Sequence, residues 1–216
     1  MPRGQFITLE GPEGAGKSTQ LALLADWLRQ QGVDVVVTRE PGGTRVGDRI
    51  RQALFGSGED GILPLTEALL MSAARAQHVQ ELLLPALAAG KLVLCDRYAD
   101  ATIAYQGSGR GLDTRLLRQL VDIATAGLLP DLTVYFDVPA ETGLARKLMA
   151  HGQGGELNHL DRMELAFHER VIAGYRELIA TAPERWRVLD ASQPLEEVQR
   201  ALRAALQPLL TTSPSS

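Results

Sequence analysis

The run Gln5-Phe6-Ile7-Thr8-Leu9-Glu10 and the loop after it, Gly11-Pro12-Glu13-Gly14-Ala15-Gly16-Lys17-Ser18-Thr19, set the reading of everything else. Residues 5–10 read as a strand, and residues 18–31 as a helix with Leu21, Leu24, Ala25 and Leu28 on one face. Between them stands the spacing G-x-x-x-x-G-K-S. Its glycines let successive backbone N–H groups turn toward one point, and the helix N-terminus adds a partial positive charge there. The same pattern brings Lys17 to the β- and γ-phosphates of a nucleoside triphosphate and makes the Ser18 hydroxyl a ligand for Mg²⁺. Gly11, Pro12, Glu13, Gly14, Ala15, Gly16, Lys17, Ser18 and Thr19 are therefore the expected triphosphate-binding set. Mg²⁺ is the expected cofactor.

Outward from this stretch, short β-rich runs alternate with longer helical ones. Residues 33–38, 91–96, 132–137 and 186–189 read as further strands. Residues 45–55, 65–89, 113–127, 140–150, 161–181 and 194–207 read as helices, with 65–89 broken or bent near Pro85. Residues 98–107 read as a loop. Residues 151–159 are glycine-rich and predict a flexible lid at about 150–160, and 211–216 predict a frayed tail. Five strands in this alternation pack as a parallel sheet with helices on both faces, an α/β fold. Residues 1–210 are expected to form one domain.

Composition narrows the functional classes. Lys and Arg number 22 against 26 Asp and Glu, a net charge of −4, so no basic excess draws the molecule to nucleic acid or an anionic bilayer. Only Lys17, Lys91 and Lys147 are lysines; every other basic residue is an arginine, the side chain suited to gripping carboxylates and phosphates. The most apolar stretch, residues 82–95, is cut by Pro85, Gly90 and Lys91, too short to cross a membrane. The N-terminus lacks the long apolar core of a signal peptide. Cys95 is the lone cysteine, and with His78, His151, His159 and His168 it forms no zinc pattern. A cytoplasmic protein is the expectation.

The kind of nucleotide chemistry follows from what accompanies the loop. A guanine-reading Asn-Lys-x-Asp motif is missing, since Asn158 is the only asparagine. The strand 91–96 ends in Asp96, at the carboxyl edge of the sheet where α/β folds bind ligands, so Asp96 is expected to orient Mg²⁺ with Ser18. Arg97 and Arg39 follow the third and second strands. Two arginines at strand ends facing a phosphate loop point to a second anion.

These residues resemble the bacterial-type thymidylate kinases, P-loop nucleoside monophosphate kinases, along nearly the whole chain. The resemblance rests on residues 9–19, on Thr38-Arg39-Glu40-Pro41-Gly42-Gly43-Thr44, and on Asp96-Arg97-Tyr98 with Ala104-Tyr105-Gln106-Gly107. Gly109-Arg110-Gly111 and Asp161-Arg162-Met163-Glu164 complete it. It implies transfer of the ATP γ-phosphoryl group to dTMP by a homodimer; the apolar helices 65–89 and 113–127 are the candidates for its interface, a pattern that core helices share. It further implies Arg39 and Arg97 on the acceptor phosphate, Arg75 on a thymine carbonyl and Thr102 at the base N3 edge. Tyr105 would lie under the deoxyribose, Gln106 would line the pocket, and Glu13 would approach the 3′-hydroxyl or the acceptor phosphate. Lys17, Asp96, Arg97 and Arg146 form the expected catalytic set.

Three departures from the family pattern stand out. Met71 takes the place of an aromatic residue expected to stack on thymine, and methionine can still cover a ring face. Ala74 and Ala101 replace an aspartate and a serine. The stretch 151–160 carries no lysine or arginine, which leaves Arg146, Lys147 and Arg162 as candidates to assist transfer, Arg146 first among them. Residues 190–192 are the candidate adenine contact. A related nucleoside monophosphate kinase with another base preference, and a nucleotide-binding regulator without activity, are the competing readings.

Overall fold

In the computed structural model, residues 3–56, 61–152 and 158–211 are described. Strand β1 (Phe6–Glu10) is buried along its whole length. It is the centre of a five-stranded parallel sheet ordered β2-β3-β1-β4-β5, in which β2 is Val35–Arg39, β3 Leu92–Asp96, β4 Leu132–Asp137 and β5 Trp186–Asp190. The order reverses direction at β1. That leaves a crevice beyond the carboxyl ends of β1 and β3, where the loop 11–16 emerges.

The period-two alternation of β1 sends its residues to two different cores. Ile7 and Leu9 pack with Leu21, Leu24 and Leu28 of α1 (Lys17–Gln30) and with Val198, Leu202 and Leu206 of α9 (Leu195–Thr211). Phe6 faces the opposite side, among residues from α3 (Pro64–His78), α6 (Thr114–Thr125) and α8 (Leu165–Thr181). α2 (Arg45–Phe55) begins at Thr44, whose hydroxyl accepts a hydrogen bond from the Gly47 N–H as an N-cap. α7 (Ala140–Gly152) follows β4.

The sequence-based elements are recovered, with four corrections. Residues 98–107, read as a loop, form the short helix α5 (Ala99–Thr102) and a π-helical segment, Ile103–Gly109. The glycines here serve packing: a Cβ on Gly109 would stand 2.7 Å from the Phe167 ring and 2.9 Å from Val171. Residues 65–89 are not broken at Pro85. A π-helical segment (Val79–Leu83) widens the backbone just ahead of the proline and leads into α4 (Leu84–Ala88); the Leu84 N–H reaches back to the Val79 carbonyl.

The helix read from residue 161 begins at Leu165. Before it, the Asn158 side chain accepts from the Leu160 and Asp161 N–H groups, and Asp161 accepts from the Asn158 N–H, closing a turn in place of a helical start. α9 runs to Thr211 where the sequence pattern ended at 207. Residues 153–157 of the predicted lid and 212–216 of the predicted tail lie outside the described residues.

Gly109→Ala is expected to lower stability by about 1–3 kcal/mol through overpacking against Phe167 and Val171. A thermal melt showing no loss would contradict this packing role.

Candidate active site

The loop 11–16 bends through left-handed backbone that suits glycine, with φ +68° at Gly14 and +84° at Gly16. Gly14 also has no room for a side chain, since a Cβ there would meet the carbonyl of Gly143 in α7. Lys17 is buried, and its Nζ donates to the carbonyls of Gly11 (3.1 Å) and Pro12 (2.8 Å). Burial, reinforced by the Arg97 charge, pulls its pKa down to about 8. An anion in the loop would restore the ordinary preference of this ammonium for its charged form.

Parallel register places Asp96 opposite Leu9 on one side and Arg39 on the other, so all three strand ends reach the same edge. The Ser18 hydroxyl donates to Asp96 Oδ2 at 2.7 Å. Two hard oxygen donors at the mouth of a phosphate loop fit Mg²⁺, which takes one or two protein groups and fills its octahedron with water and substrate phosphate. No cluster of three or more His, Cys, Asp or Glu side chains suited to a metal occurs among the described residues, so an all-protein cage is not offered.

Arg97 is the hub of the cleft. Its backbone is left-handed, φ +69°, which is uncommon for a residue with a side chain. One terminal nitrogen donates to the Gly11 carbonyl (2.8 Å) and to the Tyr175 hydroxyl (3.3 Å). The other donates to Glu13 Oε1 (2.6 Å) and to the Tyr105 hydroxyl (2.9 Å). Burial would raise the Glu13 pKa, but Arg97, Lys17 and Lys147 outweigh it and hold the carboxyl at about 2. Glu13 is thus a carboxylate at any working pH.

Arg75 is buried and held on three sides. Its Nε donates to Glu40 (2.7 Å), and its two terminal nitrogens donate to Thr102 Oγ1 (3.0 Å) and to the Tyr98 carbonyl (3.0 Å). Three of its five N–H groups are engaged, which leaves two for a ligand. Glu40 is fixed in turn by His78 (2.8 Å), whose other ring nitrogen meets Thr38 (2.7 Å).

Glu13, Arg39, Met71, Arg75, Arg97, Thr102, Tyr105 and Gln106 line one cleft with Lys17, Ser18 and Asp96. Arg51 and Phe55 of α2 line it as well, and the sequence reading missed both. Arg51 donates to the Pro41 carbonyl (3.1 Å) and lies over the Phe55 ring; burial and the nearby Arg39 charge lower its pKa. Glu40 and His78 were also missed as supports of Arg75, because their roles arise only when β2 and α3 meet. Arg146 does not line the cleft. It donates to the Ala191 (2.8 Å) and Ser192 (3.5 Å) carbonyls after β5, while its neighbour Lys147 faces the cleft beside Asp161 at 3.6 Å.

A phosphate loop leaving the central strand of such a sheet, with an arginine-lined cleft alongside, defines a P-loop nucleotide phosphotransferase. Comparison with known proteins narrows the class. The family model for thymidylate kinase matches residues 9–202. The chain is 51% identical to the thymidylate kinase of Roseiflexus castenholzii, over 97% of this chain and 95% of that one. It is likewise 51% identical to that of Pseudomonas entomophila, over 96% of this chain and 97% of the relative. The crystal structure of thymidylate kinase from Ehrlichia chaffeensis superposes with a TM-score of 0.77 at 35% identity, covering 95% of this chain and 99% of that one. The chain belongs to the thymidylate kinase family.

Glu10 beneath the loop supplies a test of the site's electrostatics. It accepts from the Tyr98 N–H (2.7 Å) and the Tyr175 hydroxyl (2.7 Å), and burial, with Asp100 adding to it, raises its pKa from 4.5 to about 7. A carboxyl raised on folding binds more protons folded than unfolded between these values, so its contribution to stability falls as pH rises through that window. Chemical denaturation should show wild type losing stability relative to Glu10→Gln from about pH 5 to 7. Parallel pH profiles would refute the shift.

Proposed function

We propose that this enzyme transfers the γ-phosphoryl group of ATP to dTMP, giving ADP and dTDP. The observation that carries the reading is the position of Arg97. One guanidinium touches the Gly11 carbonyl and the Glu13 carboxylate of the donor loop and also the Tyr105 hydroxyl of the adjoining cleft, so donor and acceptor phosphates would meet at one cation. Membership of the family supports the same reaction.

The chemistry asks little of a general base. A phosphate monoester has a second pKa near 6, so the attacking oxygen is ionised at neutral pH. The cost lies in bringing two polyanions together and in line. Lys17 holds the donor phosphates, and Arg97 with Arg39 and Arg51 holds the acceptor phosphate. Mg²⁺, held by Ser18 and Asp96, would neutralise phosphate charge when bound. The two unengaged N–H groups of Arg75 serve a thymine carbonyl and Thr102 the N3 edge. Tyr105 packs under the deoxyribose, with Gln106 lining the base end of the cleft. Met71 and Phe55 give the cleft its apolar surface. Glu13, ionised and tied to Arg97, orients that guanidinium and approaches the 3′-hydroxyl.

The functional unit is the domain 1–210, as a homodimer joined through the α3 and α6 side, where Leu65, Leu69, Leu116 and Ile123 are exposed. Light scattering at the monomer mass would overturn that assembly. Among the described residues no helix is long and apolar enough to cross a membrane. Use of ATP with Mg²⁺ fits a cytoplasmic location. Base preference other than thymine, prompted by Met71, Ala74 and Ala101, is the reading not favoured.

ADP formation measured with dTMP, dUMP, dCMP, dGMP and AMP tests the assignment. dTMP should be best, with dUMP reduced about 10–200-fold in kcat/KM for its missing methyl. Lys17→Ala should lower kcat about a hundredfold or more, and EDTA should abolish turnover until Mg²⁺ is restored. A better acceptor than dTMP, or an intact rate in Lys17→Ala, would sink the reading. Arg146 can reach the transferring group only by leaving the Ala191 and Ser192 carbonyls, whereas Lys147 already faces the cleft. The larger kcat loss is therefore expected in Lys147→Ala; a loss confined to Arg146→Ala would return the role to Arg146.

A further inference from the structure

Glu67 lies in the first turn of α3 with its side chain fully buried, and three donors from two other parts of the chain converge on it. Gln106 Nε2 reaches Oε1 at 2.6 Å, while Arg110 (2.9 Å) and His159 Nε2 (2.8 Å) reach Oε2. Burial alone would raise the Glu67 pKa, but the hydrogen bonds from His159, Gln106 and Arg110 outweigh it and hold it below the ordinary carboxylate value. An ionised carboxylate only accepts, so His159 must carry its proton on Nε2, and the Gln106 amide must turn its nitrogen toward Glu67.

His159 belongs to the turn between α7 and α8. Its ring lies 5.8 Å from that of Phe55, so one side chain bridges the end of α2 and the start of α3 across the cleft. The Asn158 side chain ties the turn internally through the Leu160 and Asp161 N–H groups. Asn158, Phe55 and Gln106 all line the cleft. The charge of Glu67 is balanced by Arg110 at 2.9 Å, so the His159 bond needs no positive charge on the imidazole.

We propose that His159 is a positioning residue for the acceptor: its hydrogen bond to Glu67 fastens the α7–α8 turn over the cleft and, through the shared carboxylate, fixes which face of the Gln106 amide the acceptor meets. A free amide offers donor and acceptor interchangeably; one anchored through nitrogen presents its oxygen and a single N–H. The inference rests on the proposed kinase reading for its acceptor, and the donor loop plays no part in it.

His159→Phe keeps the ring against Phe55 and removes the donor, while His159→Gln keeps a donor and removes the ring. Steady-state kinetics use whichever monophosphate the wild type phosphorylates best. His159→Phe is expected to raise the acceptor KM about tenfold, the loss of one hydrogen bond to a charged group, with kcat and the ATP KM within about twofold of wild type. His159→Gln should recover most of that loss. His159→Phe should also melt somewhat below wild type, since it takes a donor from the fully buried Glu67 carboxylate, and His159→Gln should melt closer to it; the split between acceptor KM and kcat, not the melt, reads the positioning role. An unchanged acceptor KM in His159→Phe, equal damage in both variants, or an ATP KM that rises in step would overturn the proposal. Failure of the kinase reading would show separately, in the acceptor preference of the wild type.

Discussion

Cations that are to receive phosphate must stand close together before the phosphate arrives, and like charges a few ångströms apart repel. The architecture of the site follows from how that repulsion is met. Arg97 is paired with Glu13 at 2.6 Å and Arg75 with Glu40 at 2.7 Å, while Lys147 and Arg39 stand near Asp161 and Asp48 at 3.6 and 3.9 Å. Each carboxylate comes from a different element: the donor loop, the end of β2, the α7–α8 turn and α2. The chain can therefore be acidic overall, at −4, and still present a cationic cleft. Glu40 and Arg75 are both nearly inaccessible, so removing either would strand a buried charge, a loss of about 3–5 kcal/mol.

The sheet and the donor loop were legible because their signals are local. Buried parallel strands read as unbroken apolar runs, and the loop spacing carries its own mechanism. The acceptor cleft was legible only in part. Arg39 and Arg97 could be placed because each ends a strand, whereas Arg51 and Phe55 sit on α2, whose orientation no spacing rule supplies. Glu40 and His78 read as ordinary residues until β2 and α3 pack.

The misread stretch 98–107 fails for a related reason. No local rule marks it as helical, yet the π-helical segment lies close against α8, where Gly109 makes room for Phe167 and Gly174 for Ser108. Tertiary contact overrides local propensity there. That close fit also shapes the cleft, because the segment holds Tyr105 and Gln106 while α8 supplies Tyr175 to both Arg97 and Glu10.

The contact between Gly14 and Gly143 has a mechanical side. Backbone meets backbone, with a Cβ on Gly14 colliding with the Gly143 carbonyl and a Cβ on Gly143 colliding with the Glu13 carbonyl. Side chains in a packed interface can absorb a small displacement by changing rotamer, but two peptide planes in contact cannot. α7 and the donor loop are thus joined like gear teeth without backlash. A shift of α7 along its axis passes directly into the loop 11–16.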